Sequence, residues 1–201
     1  MRLLSRPAVR TLYVVALVAA MASPAAAQAL TYGAKGGLDL TKVHFGSSFA
    51  PDTDMAAGFT GGGFVGWKLA PRLAVRGEVL LASERSIFDS VITDTVRTLD
   101  VPVIVRYRAA SLSARAIHVS GGFVARRVLD ATESVGGESS SIKNGITRSN
   151  QALTAGASID IVRHWTADVR YMQGRKGVYK KIGGGTEGKT RTVQVTVEYL
   201  F

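Results

Sequence analysis

Hydrophobic and polar residues alternate in eight separate segments of the chain, each nine to thirteen residues long. A period of two places successive side chains on opposite faces of an extended strand, so each segment predicts a β-strand with one apolar face. In the fourth segment that face consists of Leu99, Val101, Val103, Val105 and Tyr107. The eight predicted strands cover residues 30–41, 58–69, 73–84, 96–108, 116–127, 151–161, 165–173 and 190–201.

The segments that connect the predicted strands are alternately long and short. The long ones are 42–57, 85–95, 128–150 and 174–189, and the short ones are 70–72, 109–115 and 162–164. This alternation gathers the long loops at one end of an up-and-down meander. An even number of strands, short periplasmic turns and long outer loops are typical of outer-membrane β-barrels. A soluble eight-stranded barrel, such as a lipocalin, is the alternative.

The distribution of charge favours the membrane barrel. Periodicity alone does not show which face points outward, but the apolar face is almost free of charge. Its exceptions are Arg191, at the start of a strand, and Arg127, at the end of one. The opposite face carries the cations Lys35, Arg76, Arg106, Arg108, Arg126 and Arg170 and the anions Asp39, Glu78, Asp100, Asp160, Asp168 and Glu198. Six charges of each sign predict a nearly neutral interior that is cross-linked by ion pairs and does not conduct ions.

The aromatic residues indicate the same architecture. If the N-terminus starts in the periplasm, six of them fall at the periplasmic ends of their strands on the apolar face: Tyr32, Trp67, Tyr107, Trp165, Tyr199 and Phe201. Aromatic girdles of this kind mark the interface between lipid and water. The sequence therefore predicts an all-β protein, an eight-stranded antiparallel up-and-down transmembrane β-barrel in the outer membrane of a Gram-negative-type cell.

The first 27 residues have the features of a secretory signal peptide. Three arginines precede an apolar stretch, residues 11–22, and Ala25 and Ala27 form a small-residue cleavage site. A membrane anchor is the alternative, but a spanning helix needs about twenty apolar residues. We expect a signal peptide over 1–27 and a barrel domain over 28–201, so N-terminal sequencing of the exported protein should read Gln28 first. The chain has no cysteine, so we expect no disulfide to support the exported fold.

Three stretches of the sequence resemble the outer-membrane β-barrel family that includes PorT-like proteins. They are GAKGGLDLT (33–41), GGGFVGWKLAPRLAVRGEVLLASE (61–84) and TLDVPVIVRY (98–107). The terminal Tyr199-Leu200-Phe201 resembles the aromatic signal by which the barrel-assembly machinery recognises such proteins. The resemblance implies the barrel fold and an accessory role in a protein-export or assembly apparatus, and it does not extend to 128–150 or 174–189.

Pro102 is unexpected within a predicted barrel strand. Proline in a sheet favours an edge strand or a bulge, and a closed barrel has no edge. We therefore expect a local bulge at this position.

Residues 183–190, GGGTEGKT, match the phosphate-binding motif G-x-x-x-x-G-K-[ST]. That motif works between a buried parallel strand and the N-terminus of a helix. Here a basic stretch precedes it, and the alternating sequence TRTVQVTVEYLF, typical of a strand, follows Lys189. We therefore predict an ordinary connecting loop and no nucleotide site. The export leader also argues against a nucleic-acid partner.

Neither the histidines nor the serines form a recognisable catalytic or metal-binding pattern. His44, His118 and His164 fall in different strands or loops, without ligand spacing. His118 shares an inward face with Ser120, which keeps an outer-leaflet lipid hydrolase or acyltransferase as an alternative function, but no G-x-S-x-G motif occurs. We predict no enzyme, no catalytic or metal-binding residues and no cofactor.

Basic residues are concentrated in the predicted outer loop 174–189. This loop contains Arg175, Lys176, Lys180, Lys181 and Lys189 against Glu187. Such a cluster can contact outer-membrane lipids, including lipopolysaccharide phosphates, although charge that keeps a solvated loop soluble is the alternative. The expected function is a structural or interaction role at the cell surface.

Overall fold

Nine β-strands make up nearly all of the part of the protein that the computed structural model describes. The described residues are 30–44, 53–88, 92–112, 115–135, 138–142, 147–175 and 189–201. The predicted signal peptide and its cleavage site lie outside them. The strands are β1 (Leu30–His44), β2 (Thr53–Ala70), β3 (Leu73–Phe88), β4 (Ile92–Leu112), β5 (Arg115–Val135), β6 (Glu138–Ser141), β7 (Ser149–Val162), β8 (Trp165–Gly174) and β9 (Lys189–Leu200).

Eight of these strands form a closed antiparallel barrel. Hydrogen-bonded neighbours follow the order β4-β3-β2-β1-β9-β8-β7-β5, and a further pairing of β4 with β5 closes the ring. The first and last barrel strands pair from Gly33–Leu200 to His44–Lys189. The predicted fold class is confirmed. In the described ranges, no helix has the length and apolar character needed to cross a membrane.

Two of the predicted long loops are largely strand, which corrects the expected boundaries. Most of 85–95 belongs to β3 and β4, which pair up to Phe88–Ile92. Within 128–150, β5 continues to Val135 and the short β6 pairs back onto it. The sequence ITDTV at the start of β4 is rich in β-branched residues, which favour extended backbone, so the hairpins continue beyond the predicted ends.

The extra length lies on one side of the barrel. β4 and β5 each have 21 residues, whereas β9, which lies opposite β4 in the ring, has 12. A membrane-crossing strand needs only about 9–11 residues. The hairpins of β2 to β6 therefore form a wall that projects beyond the rest of the barrel at the end opposite the short turns.

Pro102 lies within β4 without a bulge, so the expectation of one was wrong. The register between β3 and β4 is the same on both sides of the proline, at Gly77–Val103 and at Leu80–Asp100. The pairs between these positions are missing, while pairing with β5 continues through Pro102. Proline has no N–H to donate, so the ladder to β3 is locally interrupted and the ladder to β5 holds the strand in place.

The apolar face of the strands points outward and the polar face inward. Val103 and Val105 on the outward face are 37% and 47% exposed. Of the twelve charged residues predicted to point inward, nine are buried. Arg106 and Asp160 are partly buried, and Arg108 is exposed at the short-turn end.

The six aromatic residues of the predicted girdle are all exposed on the outward face at the short-turn end. Neighbouring rings contact one another: the ring centroids of Trp165 and Tyr199 are 4.9 Å apart, and those of Tyr199 and Phe201 are 5.5 Å apart. Tyr32 continues this row, with its centroid 5.8 Å from that of Phe201. The predicted girdle is confirmed.

Glycines at inward positions explain why the pattern of β2 and β5 is weak in the sequence. A Cβ added to Gly122 would collide with the backbone oxygen of Val103 and with Ile104, and one added to Gly62 would collide with the backbone of β3. These positions need the absence of a side chain because the neighbouring backbone is too close.

We predict that Val103→Arg destabilises the barrel by about 2–4 kcal/mol, because it places a charge on the lipid face near mid-strand. Thr95→Arg is the matched control: it lies on the same face of β4, two residues before the exposed Arg97, and should change stability by less than about 0.5 kcal/mol. Urea unfolding in detergent micelles measures both. Equal effects of the two substitutions would contradict the assignment of the membrane band.

Candidate functional site in the barrel lumen

The middle of the lumen is crossed by a bidentate ion pair between Arg170 and Glu78. Both terminal guanidinium nitrogens of Arg170 donate to the Glu78 carboxylate at 2.8 Å. Arg170 belongs to β8 and Glu78 to β3, and these strands lie four places apart in either direction around the eight-stranded ring. The pair therefore joins opposite walls of the barrel. Both side chains are almost completely buried.

Four further charged residues complete this middle cluster. Arg76 Nη1 donates to Glu198 Oε1 at 2.7 Å, and its guanidinium lies 4.0 Å from the centre of the Phe64 ring, a cation–π contact. Lys35 Nζ donates to Asp168 at 3.2 Å and lies 3.6 Å from both Glu78 and Glu198. The middle cluster thus connects β1, β3, β8 and β9 through charge-assisted contacts, which are stronger than neutral ones.

A second group, the outer cluster, lies nearer the long-loop end. Arg126 of β5 donates to both carboxylate oxygens of Asp100, at 2.9 and 2.6 Å, and to Glu84 at 2.8 Å. Gln194 of β9 donates to Asp39 at 3.0 Å. All five side chains are buried. This cluster connects β3, β4 and β5 through Arg126, and β1 to β9 through Gln194.

A third group, the mouth cluster, lies at the short-turn end. Arg106 donates to Ser158 at 2.8 Å, and Thr166 donates to Asp160 at 2.9 Å. His118 Nε2 lies 3.3 Å from Asp160 Oδ2. The partner of His118 is therefore a carboxylate on β7 rather than Ser120, which shares its strand.

The buried charges are less balanced than the sequence count implied. Among the described residues, four buried cations face seven buried carboxylates. Glu84 and Asp94 were missed, because Glu84 ends its predicted strand and Asp94 falls in the predicted loop 85–95. Continuing the alternation from Glu78 would have found Glu84. The prediction of equal numbers is therefore wrong for the buried set, and several carboxylates instead accept hydrogen bonds from hydroxyl or amide groups.

The residues of the other candidate motifs either lie far from one another in the structure or lie outside the described residues. Most of GGGTEGKT is outside them, but Lys189 and Thr190 begin β9 and no helix follows. Lys189 therefore belongs to a strand rather than to the predicted outer loop. His44 lies at the end of β1, and His164 lies in the turn before β8, 3.1 Å from the Leu200 oxygen. Within the described ranges, no group of three or more His, Asp or Glu side chains could hold a metal ion.

The lumen clusters occupy the barrel cross-section at three heights. Because ion pairs link opposite as well as adjacent walls, the interior resembles a cross-linked polar core rather than a channel. A conducting pore would instead need an aligned path with weak, successive ion sites. The arrangement is suited to a barrel whose lumen is filled by its own side chains.

Outside the lumen, basic residues form an outer rim on the lipid-facing surface. It consists of Lys42, Arg85, Arg97, Arg127 and Arg191, all exposed. Lys42 and Arg191 are direct cross-strand partners, and like charges directly opposite each other are destabilising unless an anion lies between them. The two charged exceptions on the apolar face, Arg127 and Arg191, are therefore part of this rim, which lies at the long-loop edge of the apolar band.

Comparison with known proteins gives one extensive match. The sequence profile of a family described as "Outer membrane protein beta-barrel domain" matches residues 13–201. No curated protein matches the sequence. Of these two findings, the profile match is the informative one, since it covers nearly the whole sequence.

Several solved structures are similar at low identity. Ail, the attachment invasion locus protein of Yersinia pestis, is 17% identical, with 85% of this chain and 98% of Ail covered and a TM-score of 0.47. Neisserial surface protein A is 14% identical, with coverages of 86% and 97% and a TM-score of 0.48. The outer membrane protein OprG from Pseudomonas aeruginosa is 11% identical, with coverages of 86% and 96% and a TM-score of 0.44.

We predict that Arg126→Ala destabilises the protein by about 3–5 kcal/mol, because it leaves Glu84 and Asp100 buried without their cation. Arg127→Ala removes the neighbouring arginine, which is exposed on the outer surface, and should cost less than about 0.5 kcal/mol. Equilibrium unfolding in urea distinguishes the two. A small effect of Arg126→Ala would mean that the outer cluster is not a stabilising network.

Proposed function

This chain belongs to the family of outer membrane protein β-barrel domains, and from that premise we propose that it is a non-conducting barrel with a structural or interaction role at the cell surface. The observation that carries this proposal is the buried ion pair of Arg170 with Glu78. It crosses the lumen between opposite strands, where a transport path would have to run.

The projecting wall supports a role outside the membrane. A strand needs roughly ten residues to span the bilayer. β4 and β5 each have about ten more than that, which corresponds to about 30 Å of additional extended strand. An ordered sheet of this height gives the protein a rigid surface beyond the lipid. A partner at the cell surface could bind there without any change in the barrel.

Lipopolysaccharide phosphates are the proposed partner of the outer rim. Phosphate groups between Lys42 and Arg191 would relieve the repulsion of these paired cations. The basic loop 174–189 would add to this contact. Only Gly174, Arg175 and Lys189 of that loop belong to the described residues, and Arg175 and Lys189 are exposed.

Two other functions are less well supported. The resemblance of residues 33–41, 61–84 and 98–107 to PorT-like proteins favours an accessory role in protein export, and capture of export components with the native complex would test it. A lipid-modifying enzyme would need a serine activated by histidine, and the side-chain partner found for His118 in the described part of the chain is Asp160, not Ser120. We therefore propose that the protein is not an enzyme, and measurable lipase or acyltransferase activity of the refolded protein would contradict this.

Processing and assembly form a further part of the proposal. We propose that residues 1–27 are removed on export and that the barrel-assembly machinery recognises the aromatic C-terminus. If the protein lacking Phe201 still assembled into the membrane at the normal yield, this result would contradict recognition of the aromatic C-terminus.

The first prediction of this proposal is that the protein does not conduct ions. The protein reconstituted in planar bilayers should give no steady single-channel openings above those of a bilayer treated with detergent alone, because ion pairs fill the lumen. Steady, ion-selective openings would contradict the closed lumen and favour a transport function.

The second prediction concerns the rim. Lys42→Gln with Arg191→Gln should weaken the binding of purified lipopolysaccharide in detergent micelles by about tenfold or more, since two charge-assisted contacts are lost. Arg115→Gln with Arg163→Gln removes the same charge from exposed positions at the short-turn end and should leave binding unchanged. Equal weakening by both pairs would show that only net charge matters.

A further inference from the structure

A cavity of about 300 Å³ opens at the short-turn end of the lumen. We call it the mouth vestibule. Its walls come from inward positions of β2, β3, β4, β5 and β7, and the turn at Pro71 and Arg72 lies at its edge. In outer-membrane barrels the short turns face the periplasm, so the vestibule is reached from that side. Its volume is at the lower end of the range for small-molecule sites.

The mouth vestibule is strongly cationic. Five basic side chains line it, and Asp160 is the one carboxylate among its lining residues in the described ranges. The cations are Lys68, Arg72, Arg76, Arg106 and Arg108. The middle cluster next to it has three cations and three carboxylates, and the excess of buried carboxylates lies nearer the long-loop end.

The cations of the vestibule differ in how far they are already neutralised. Arg76 is bound to Glu198, and Arg106 lies within 3.9 Å of Asp160 and within 3.7 Å of Glu198. For Lys68, Arg72 and Arg108, in contrast, no side-chain hydrogen bond or ion pair is found in the described part of the chain. Three cations at the edge of one cavity therefore lack an anionic partner.

A backbone hydrogen bond joins two of the residues that carry these cations. The Arg108 N–H donates to the Arg72 carbonyl oxygen at 2.8 Å, which fixes the turn after β2 against the end of β4. Arg72 and Arg108 both line the vestibule, and placing two cations at one cavity is electrostatically unfavourable in the absence of an anion. The same arrangement offers a ligand two planar forks of N–H donors, which match the oxygens of phosphate.

We propose that the mouth vestibule binds the phosphate group of a small anionic ligand from the periplasmic side. A phosphate ester or diphosphate carries more than one negative charge and suits three unneutralised cations better than a single carboxylate does. The phosphate would contact Arg72 and Arg108 directly, with Lys68 as a further donor. Its source is either a water-soluble phosphate compound or the headgroup of a neighbouring inner-leaflet lipid.

Titration with inorganic pyrophosphate tests this site. The full barrel, reconstituted in nanodiscs of zwitterionic lipid, should bind pyrophosphate in calorimetry, and added salt should weaken the binding. Arg72→Gln with Arg108→Gln should reduce the affinity by about tenfold or more. Neither residue takes part in the lumen clusters, so folding should be unaffected, which urea unfolding of the same sample checks.

The control pair is Arg115→Gln with Arg163→Gln, which removes the same charge from exposed positions at the short-turn end that do not line the vestibule. It should leave pyrophosphate binding unchanged. Absence of binding to the unmodified protein, or equal weakening by both pairs, would overturn the proposal. Weaker pyrophosphate binding in nanodiscs containing phosphatidylglycerol would identify a lipid headgroup as the natural occupant, and equal binding would identify a soluble one.

Discussion

The need to neutralise charge inside a narrow barrel governs the rest of the structure. An isolated ion in such an interior carries a desolvation penalty of several kcal/mol, and the pair of Arg170 with Glu78 avoids it by joining opposite strands. Its geometry requires a closed ring in which β3 and β8 lie opposite each other. Because the side chains alternate between the two faces of each strand, the charged residues point into the lumen and the apolar residues form the outward face.

The charged groups of the molecule are sorted by position. Buried acids predominate in the lumen, unneutralised cations collect in the mouth vestibule, and exposed cations form the outer rim. The two basic regions lie at opposite ends of the apolar band, where each would meet a different aqueous compartment. The described part of the chain thus presents its unneutralised positive charge at both ends of the apolar band and little of it between them.

Alternation along the strands was sufficient to predict the barrel, its inward face and the aromatic girdle, because a period of two assigns each side chain to a face directly. The pairs inside the lumen could not be predicted in this way. Arg170 and Glu78 are 92 residues apart, and their contact depends on which strands become opposite after closure. The lengths of β4 and β5 were also missed, since Thr and Ser in the projecting wall give weak alternation. At Pro102 the sequence could not show that pairing to one neighbour alone would suffice.

The ion pair of Arg170 with Glu78 across the lumen links the opposite walls of the barrel and stabilises the closed ring. A double-mutant cycle of Glu78→Gln and Arg170→Gln, followed by urea unfolding in micelles, measures the coupling between these two side chains without the contributions of their other contacts. The account predicts a favourable coupling of at least about 1.5 kcal/mol, in the range found for close charge pairs. Additivity within about 0.5 kcal/mol would contradict it, since the two opposite walls would then be independent.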